Sequence, residues 1–262
     1  MKTIRTHNIW HIGDHLVHLN FLRRVALENL DCKFIHYAGW HYLSELRDAV
    51  SDVPNIELAE LNYMLPADSI NAWRGDNQHW YDHPRRNEFV AYHLEWFDFL
   101  AKRMGVKNPV KKPADMLFDY PAILKPIGGA GNQPFDVLVI NCRPGSGQFQ
   151  RYSEFALAAL ADRMAARGHK VIATDPLPNS KVQSTRKSGL TITQIGHLSL
   201  HCHTLVMVST GPSWPTFNIW NTETVKERIL LLDTERVWLS PNTYHCDHMP
   251  EVEARLQQAG LL

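Results

Sequence analysis

The stretch WHIGDHLVHLNFLRR, residues 10–24, gathers residue types that move protons or hold metals. His11, His15 and His18 surround Asp14, which follows Gly13. On one helix the three histidines would stand at i, i+4 and i+7, where imidazoles share a face and can ligate zinc or iron. A carboxylate at a helix start has two other uses. It can cap backbone N–H groups or act as a general base. Gly13 reads as the loop before the helix, which leaves His11 outside it and breaks the metal spacing. HCH at 201–203 and HCDH at 245–248 add donors, but none matches a zinc spacing. No metal ligand is assigned, and a metal-dependent hydrolase stands as a rival reading.

Two further loops have the composition of an anion site. STGPS, residues 209–213, places Ser209, Thr210 and Ser213 hydroxyls around Gly211 ahead of an expected helix. Backbone N–H groups at such a turn suit a phosphate or diphosphate. RPGSGQ, residues 143–148, offers Arg143, Ser146 and Gly147, with Arg151 just beyond. Glycine and serine also make plain strand-to-helix turns, so composition leaves both uses open. Neither loop is a P-loop, because no GK[ST] follows, and neither completes GxGxxG. Asp175 would suit the ribose of a dinucleotide, but a NAD-type enzyme also needs that fingerprint. A third group, in NAWRGDNQHWYDHPRRNEF at 71–89, sets Trp73 and Trp80 among Arg74 and His79. Aromatic faces with polar neighbours suit sugar or base stacking; an aromatic loop packed on a core has the same composition.

The elements that must position these residues alternate. FDVLVINC (135–142) reads as a buried parallel strand. A helix follows with Ser153 as N-cap, Phe155, Leu157, Ala158, Leu160, Ala161 and Met164 at helical spacing, and Gly168 past its end. HKVIATD, LTITQIG, TLVMVSTG and ERILLLD read as further strands, with a helix after STG. The first half opens with a strand over 2–9 and a helix from about Asp14 to Leu30 carrying Leu16, Leu19, Leu22, Val25 and Ala26 on one side. KFIHYA, WHYLSELRDAV and IELAEL continue strand, helix, strand. Residues 63–84 break the rhythm. A strong amphipathic helix then carries Phe89, Leu94, Phe97 and Leu100. Residues 106–134, rich in proline, read as a linker. The expectation is α/β: two Rossmann-like, doubly wound parallel-sheet domains, 1–134 and 135–262.

The chain has 262 residues, 44% of them hydrophobic, enough for two cores. Lys plus Arg equals Asp plus Glu at 27 each, so bulk charge gives no reason to expect a nucleic-acid partner. The four cysteines lie far apart, which fits a reducing compartment. No signal segment or membrane span is legible, and the expected location is the cytoplasm.

Taken in order, IGDHLVHLNFLRRVA, INCRPGSGQFQRYSEFALAALADRMAARGHKVIATD and STGPSW resemble the ADP-heptose lipopolysaccharide heptosyltransferases, glycosyltransferases of the GT-B fold. The resemblance covers most of the chain through short motifs. It departs at Ser209 and Trp214, where the family signature DTGxxH has aspartate and histidine. What it implies is a metal-independent, inverting transfer from a nucleotide-sugar to an acceptor hydroxyl on a glycan or small molecule, with no cofactor. Asp14 inherits the role of base. Arg143, Ser146, Gly147, Arg151, Ser209, Thr210, Gly211 and Ser213 become donor-side residues; Trp73, Arg74, His79 and Trp80 become acceptor-side ones. The altered turn also admits a nucleotide-binding or scaffold protein that has lost transfer.

Overall fold

The computed structural model describes residues 1–62, 64–74, 88–120, 135–143, 152–231, 239–240 and 242–262. The chain divides into two compact units, Met1–Pro121 and Ala122–Leu262, with Val237–Leu239 grouping with the first.

The first unit is built on a parallel sheet of β1 (Lys2–His7), β2 (Cys32–Ala38), β3 (Ile56–Glu60) and β4 (Ile70–Asn71), in the order β3-β2-β1-β4. Helix α1 (Ile12–Glu28) follows β1 and buries Leu16, Leu19, Leu22, Val25 and Ala26 completely, the side the apolar ladder predicts. It starts two residues before the expected Asp14, because His11 is the last extended residue and Gly13 is already helical. Helix α2 is Trp40–Arg47, and α3 is Phe89–Met104. The buried face of α3 is wider than predicted: Tyr92, His93 and Trp96 join Phe89, Phe97 and Leu100, while Leu94 is only half-buried. Phe97 stacks on Phe21 of α1 at 4.3 Å between ring centroids. Gly105, at φ 65°, ends α3 in the left-handed conformation that glycine adopts without a Cβ penalty.

Residues 106–120, expected as the first part of a linker, pack onto this unit instead. Val110, Met116, Phe118 and Tyr120 are buried. Asn20 of α1 donates to the Met116 carbonyl at 2.7 Å, and Arg23 joins Asp52 and Asp119. Proline count signals irregular backbone, and that part of the expectation holds; irregular backbone with an apolar residue every second position can still be core.

The second unit carries six parallel strands: β5 (Phe135–Ile140), β6 (Val171–Ala173), β7 (Gln183–Ser184), β8 (Cys202–Val208), β9 (Glu227–Leu231) and β10 (Thr243–Cys246). Their order, β7-β6-β5-β8-β9-β10, is the doubly wound dinucleotide-fold order 3-2-1-4-5-6. Helix α4 (Glu154–Ala166) starts where predicted: Ser153 Oγ accepts from the Ala156 N–H at 3.2 Å. It ends in a Schellman pattern, with Gly168 N–H to Ala165 O and His169 N–H to Met164 O. Phe155 does not join its core face and is 67% exposed. LTITQIG is not a strand. Its core is α5 (Ile192–Leu198), because Thr191 and Gln194 cap each other reciprocally. The segment after STG forms a 3-10 turn, Gly211–Thr216, rather than an α-helix; Pro215 has no N–H to extend one. Helix α6 (Met249–Gln258) closes the chain against β9 and β10.

Candidate functional site

In each sheet the strand order reverses once, and that point opens a crevice past the carboxyl ends of two strands. In the first sheet it lies between β1 and β4, and Asp14 stands there. Asp14 is the third residue of α1, with His11 at the N-cap position and no side-chain cap there. Trp73 follows β4 and donates its Nε1–H to Asp14 Oδ1 at 3.1 Å. His11 Nδ1 lies 3.9 Å from Oδ2. The Asp14 side chain keeps 35% of its surface open. Burial raises its pKa above the ordinary carboxylate value. His11, the Trp73 N–H, the Arg74 charge and the His11 backbone N–H pull the other way. The carboxylate that takes the His11 backbone N–H stays solvent-accessible.

Arg74 packs its guanidinium over the rings of Phe89 and Tyr92, at 5.6 and 5.2 Å. Trp10, which sequence reasoning missed, stacks against Trp73 at 4.3 Å between centroids. A signal for it existed: NIW at 8–10 and NAW at 71–73 are the same Asn-x-Trp pattern at two strand ends. Trp96 Nε1 donates to the carbonyl of Ala72, and the Ala72 N–H bonds the His7 carbonyl, so the residue just before Trp73 is fixed from both sides.

The other histidines of the opening stretch turn away from this crevice into the core. His15 and His18 are buried, with His36 of β2 between them. Among the described residues no group of three or more His, Cys, Asp or Glu is arranged to hold a metal ion. His201 ends a 3-10 turn, while Cys202 and His203 open β8. His245 and Cys246 belong to β10, and His248 precedes α6.

In the second sheet the reversal lies between β5 and β8. Cys142 and Arg143 follow β5, and Arg143 is exposed. Asn141 latches β5 to the end of β6: its Oδ1 accepts from the Thr174 hydroxyl and the Asp175 N–H. Asp175 pairs with Arg186 at 3.0 Å. Ser209, Thr210 and Gly211 follow β8 beside the Cys142–Arg143 segment. Ser213 is turned inward. Its hydroxyl donates to the Thr210 carbonyl at 2.6 Å and accepts from the Thr210 N–H at 3.2 Å, which sets the shape of the turn. Ser146, Gly147, Arg151, His79 and Trp80 lie outside the described residues.

No protein-family model matches the sequence, and no curated protein matches it. Solved structures match in shape. The E. coli heptosyltransferase WaaC, with ADP-2-deoxy-2-fluoro heptose, superposes at a TM-score of 0.58 and 11% identity, over 99% of this chain and 100% of that one. A glycosyl transferase family 9 protein from Veillonella parvula gives 0.56 and 12%, over 100% and 90%. The fold is that of GT-B glycosyltransferases. The iron-containing dodecameric glycosyltransferase TibC from enterotoxigenic E. coli also matches, at 0.53 and 12%, but this chain spans only 62% of its length. At 11–12% identity the likeness is one of fold. All four cysteines are free thiols, and no helix among the described residues is long and apolar enough to cross a membrane.

Proposed function

We propose that this chain is a cytoplasmic glycosyltransferase that moves a sugar from a nucleotide-sugar to an acceptor hydroxyl. The observation that carries the reading is Asp14: a solvent-accessible carboxylate with raised pKa, at the crevice of the first sheet, in a GT-B fold. A general base works best when its pKa is moved toward the working pH.

In this reading the acceptor oxygen attacks the anomeric carbon while the bond to the diphosphate breaks. The acceptor proton passes to Asp14, and the nucleoside diphosphate leaves with the bonding pair. One displacement inverts the anomeric centre. Arg143, the Gly211 amide and the Ser209 and Thr210 hydroxyls meet the charge growing on the diphosphate, so the step needs no bound metal. Ser146, Gly147 and Arg151 complete the donor set expected from the sequence. Trp73 and Arg74, with His79 and Trp80 from the sequence reading, form the acceptor side.

The test is a thermal-shift and product-release screen with ADP-, UDP- and GDP-sugars, run with and without EDTA. ADP-sugars come first, because WaaC was solved with one. A ligand that binds only the folded state raises the melting temperature by mass action. A shift with one nucleotide class and EDTA-resistant release of its diphosphate support the proposal; no shift at millimolar nucleotide overturns it. A second reading, nucleotide binding without transfer, is favoured by Ser209 and Trp214 in place of the charged signature residues. It predicts the shift without product release.

A further inference from the structure

Two Asn-x-Trp tripeptides end neighbouring strands of the first sheet. His7 of β1 stands opposite Asn71 of β4 in the register, so Asn8-Ile9-Trp10 and Asn71-Ala72-Trp73 leave the sheet side by side. In each, the asparagine Oδ1 accepts the backbone N–H of the tryptophan two residues on, at 2.9 Å. These are Asx turns, which fix a chain direction locally. The paired turns bring the two indoles together at 4.3 Å with their planes 38° apart. Trp73 is thereby held with its N–H on Asp14 Oδ1.

We infer that Trp73 is a positioning residue for Asp14: its indole N–H fixes Oδ1 and leaves Oδ2 as the oxygen that receives a proton, while Trp10 braces the indole. The role given to Oδ2 rests on the glycosyl-transfer reading; the hydrogen bond and its electrostatic effect do not. An N–H donated to a carboxylate favours the ionised form. Here it opposes the burial that favours the protonated one. The other titratable or charged groups facing Asp14 are His11 ahead of α1, Arg74 beyond β4 and Tyr42 on α2. The His11 backbone N–H also hydrogen-bonds the carboxylate. Trp73→Phe keeps a flat, smaller ring against Trp10 and removes the donor.

The experiment has two arms. The eight tryptophans give eight indole N–H signals in a proton–nitrogen spectrum of the full chain. One of them, absent in Trp73→Phe, is expected to shift with pH as Asp14 ionises and to lose that step in Asp14→Asn. This arm needs no substrate. In the second arm, Trp73→Phe moves the acid limb of kcat/KM upward by about one pH unit, the scale of one hydrogen bond to a carboxylate. The acid limb then loses about tenfold more than the alkaline plateau, where loss of the acceptor-side contact of Trp73 lowers kcat/KM evenly. An indole step that persists in Asp14→Asn overturns the inference. So does a Trp73→Phe profile that falls equally at every pH, the signature of a merely structural role. Absence of transfer with every nucleotide-sugar, with the indole step intact, sinks the transferase reading and leaves the Trp73–Asp14 coupling standing.

Discussion

His15 Nδ1 and His36 Nε2 lie 3.0 Å apart in a pair with no exposed surface, and His36 Nδ1 meets the Thr6 hydroxyl at 2.9 Å. One imidazole donates and the other accepts, and burial keeps both neutral in the folded chain at neutral pH. His18 packs on His36, and neither of its ring nitrogens has a hydrogen-bond partner among the described residues. Burial, with repulsion from neighbouring histidines, holds the His15 and His18 pKa down at about 3 and that of His36 well below 6.5. His93 of α3 is lowered by burial and by Arg74.

These four histidines make the first unit acid-labile. In the unfolded chain each titrates near 6.5; in the folded chain each stays neutral far below that. Their contribution is fully present above pH 6.5 and is lost as pH falls from 6.5 toward about 3. Each group removes about 1.4 kcal/mol per pH unit over that window. Together they lower the stability of the first unit as pH falls below 6.5. Hydrogen exchange read along the chain should show residues 1–120 opening before residues 152–231 as pH drops. His18→Leu, which removes no hydrogen bond, should move that opening to lower pH. Simultaneous opening of both units, or a transition unmoved by His18→Leu, would refute this account.

Asp14 sets function against stability. Its raised pKa means that the fold disfavours the ionised carboxylate. Above the folded pKa that penalty is present; it fades as pH falls through the folded value. Asp14→Asn keeps an oxygen for the Trp73 N–H and removes the charge. Transfer should fall about 100- to 10,000-fold, the range of general-base contributions. Nucleotide binding should be unchanged, and the melting temperature at pH 8 equal to or above that of the parent. A clear drop in melting temperature would mean that the carboxylate is a structural cap first, and transfer near the parental rate would remove Asp14 from the chemistry.

Much of this arrangement is legible in the sequence. The apolar ladder of α1, the Ser153 cap and Gly168 terminus of α4, and the continuous apolar runs of β5 and β8 are local signals, and each element forms as read. What the sequence hides is set by contacts distant along the chain. Strand β4 is two residues long and exists because Ile70 and Asn71 find Thr6 and His7. Strand β10 reads as a cluster of metal donors until β9 pairs with it. The expectation of a linker over 106–120 fails because the partners of those residues, Asn20, Arg23 and Arg24, lie some 90 positions earlier. At the candidate site, Asp14 is visible from its place after β1. Its contact with Trp73 spans 59 positions and belongs to the fold alone.

The misreading of LTITQIG yields a prediction of its own. Four β-branched residues in that segment favour a strand, and the capping box of Thr191 with Gln194 tips it to a helix. Thr191 Oγ1 accepts the Gln194 N–H at 3.3 Å, and Gln194 Oε1 accepts the Thr191 N–H at 3.0 Å. Thr191→Ala should cost about 1 kcal/mol of stability, as lost N-caps do. Thr191→Ser should restore most of it. Urea midpoints measure both; an alanine variant as stable as the parent would show that packing against the Gly211–Thr216 turn, not the cap, decides the helix.

Arg228 offers the strongest stability test in the second unit. It is 1% exposed in β9, and only Nη2 has partners, Asn221 Oδ1 at 2.6 Å and the Asn221 carbonyl at 3.4 Å. Nε and Nη1 have none among the described residues. Burial brings its pKa down to about 10 from 12.5, and no carboxylate among the described residues offsets that. At neutral pH the group is still charged, so folding carries a penalty of about 3 kcal/mol, taken from 1.36 kcal/mol per pKa unit. Methionine fills similar space without charge. It forfeits the Asn221 bond, worth about 1–3 kcal/mol as a hydrogen bond to a charged group. The balance favours Arg228→Met by about 1 kcal/mol, within the range seen when buried charges give way to packed apolar side chains. The expected result is a higher urea midpoint with an unchanged slope. A variant less stable than the parent by more than the Asn221 bond would mean that a bound anion or ordered water compensates the guanidinium, and adding chloride or phosphate to the parent would then raise its midpoint while leaving that of Arg228→Met in place.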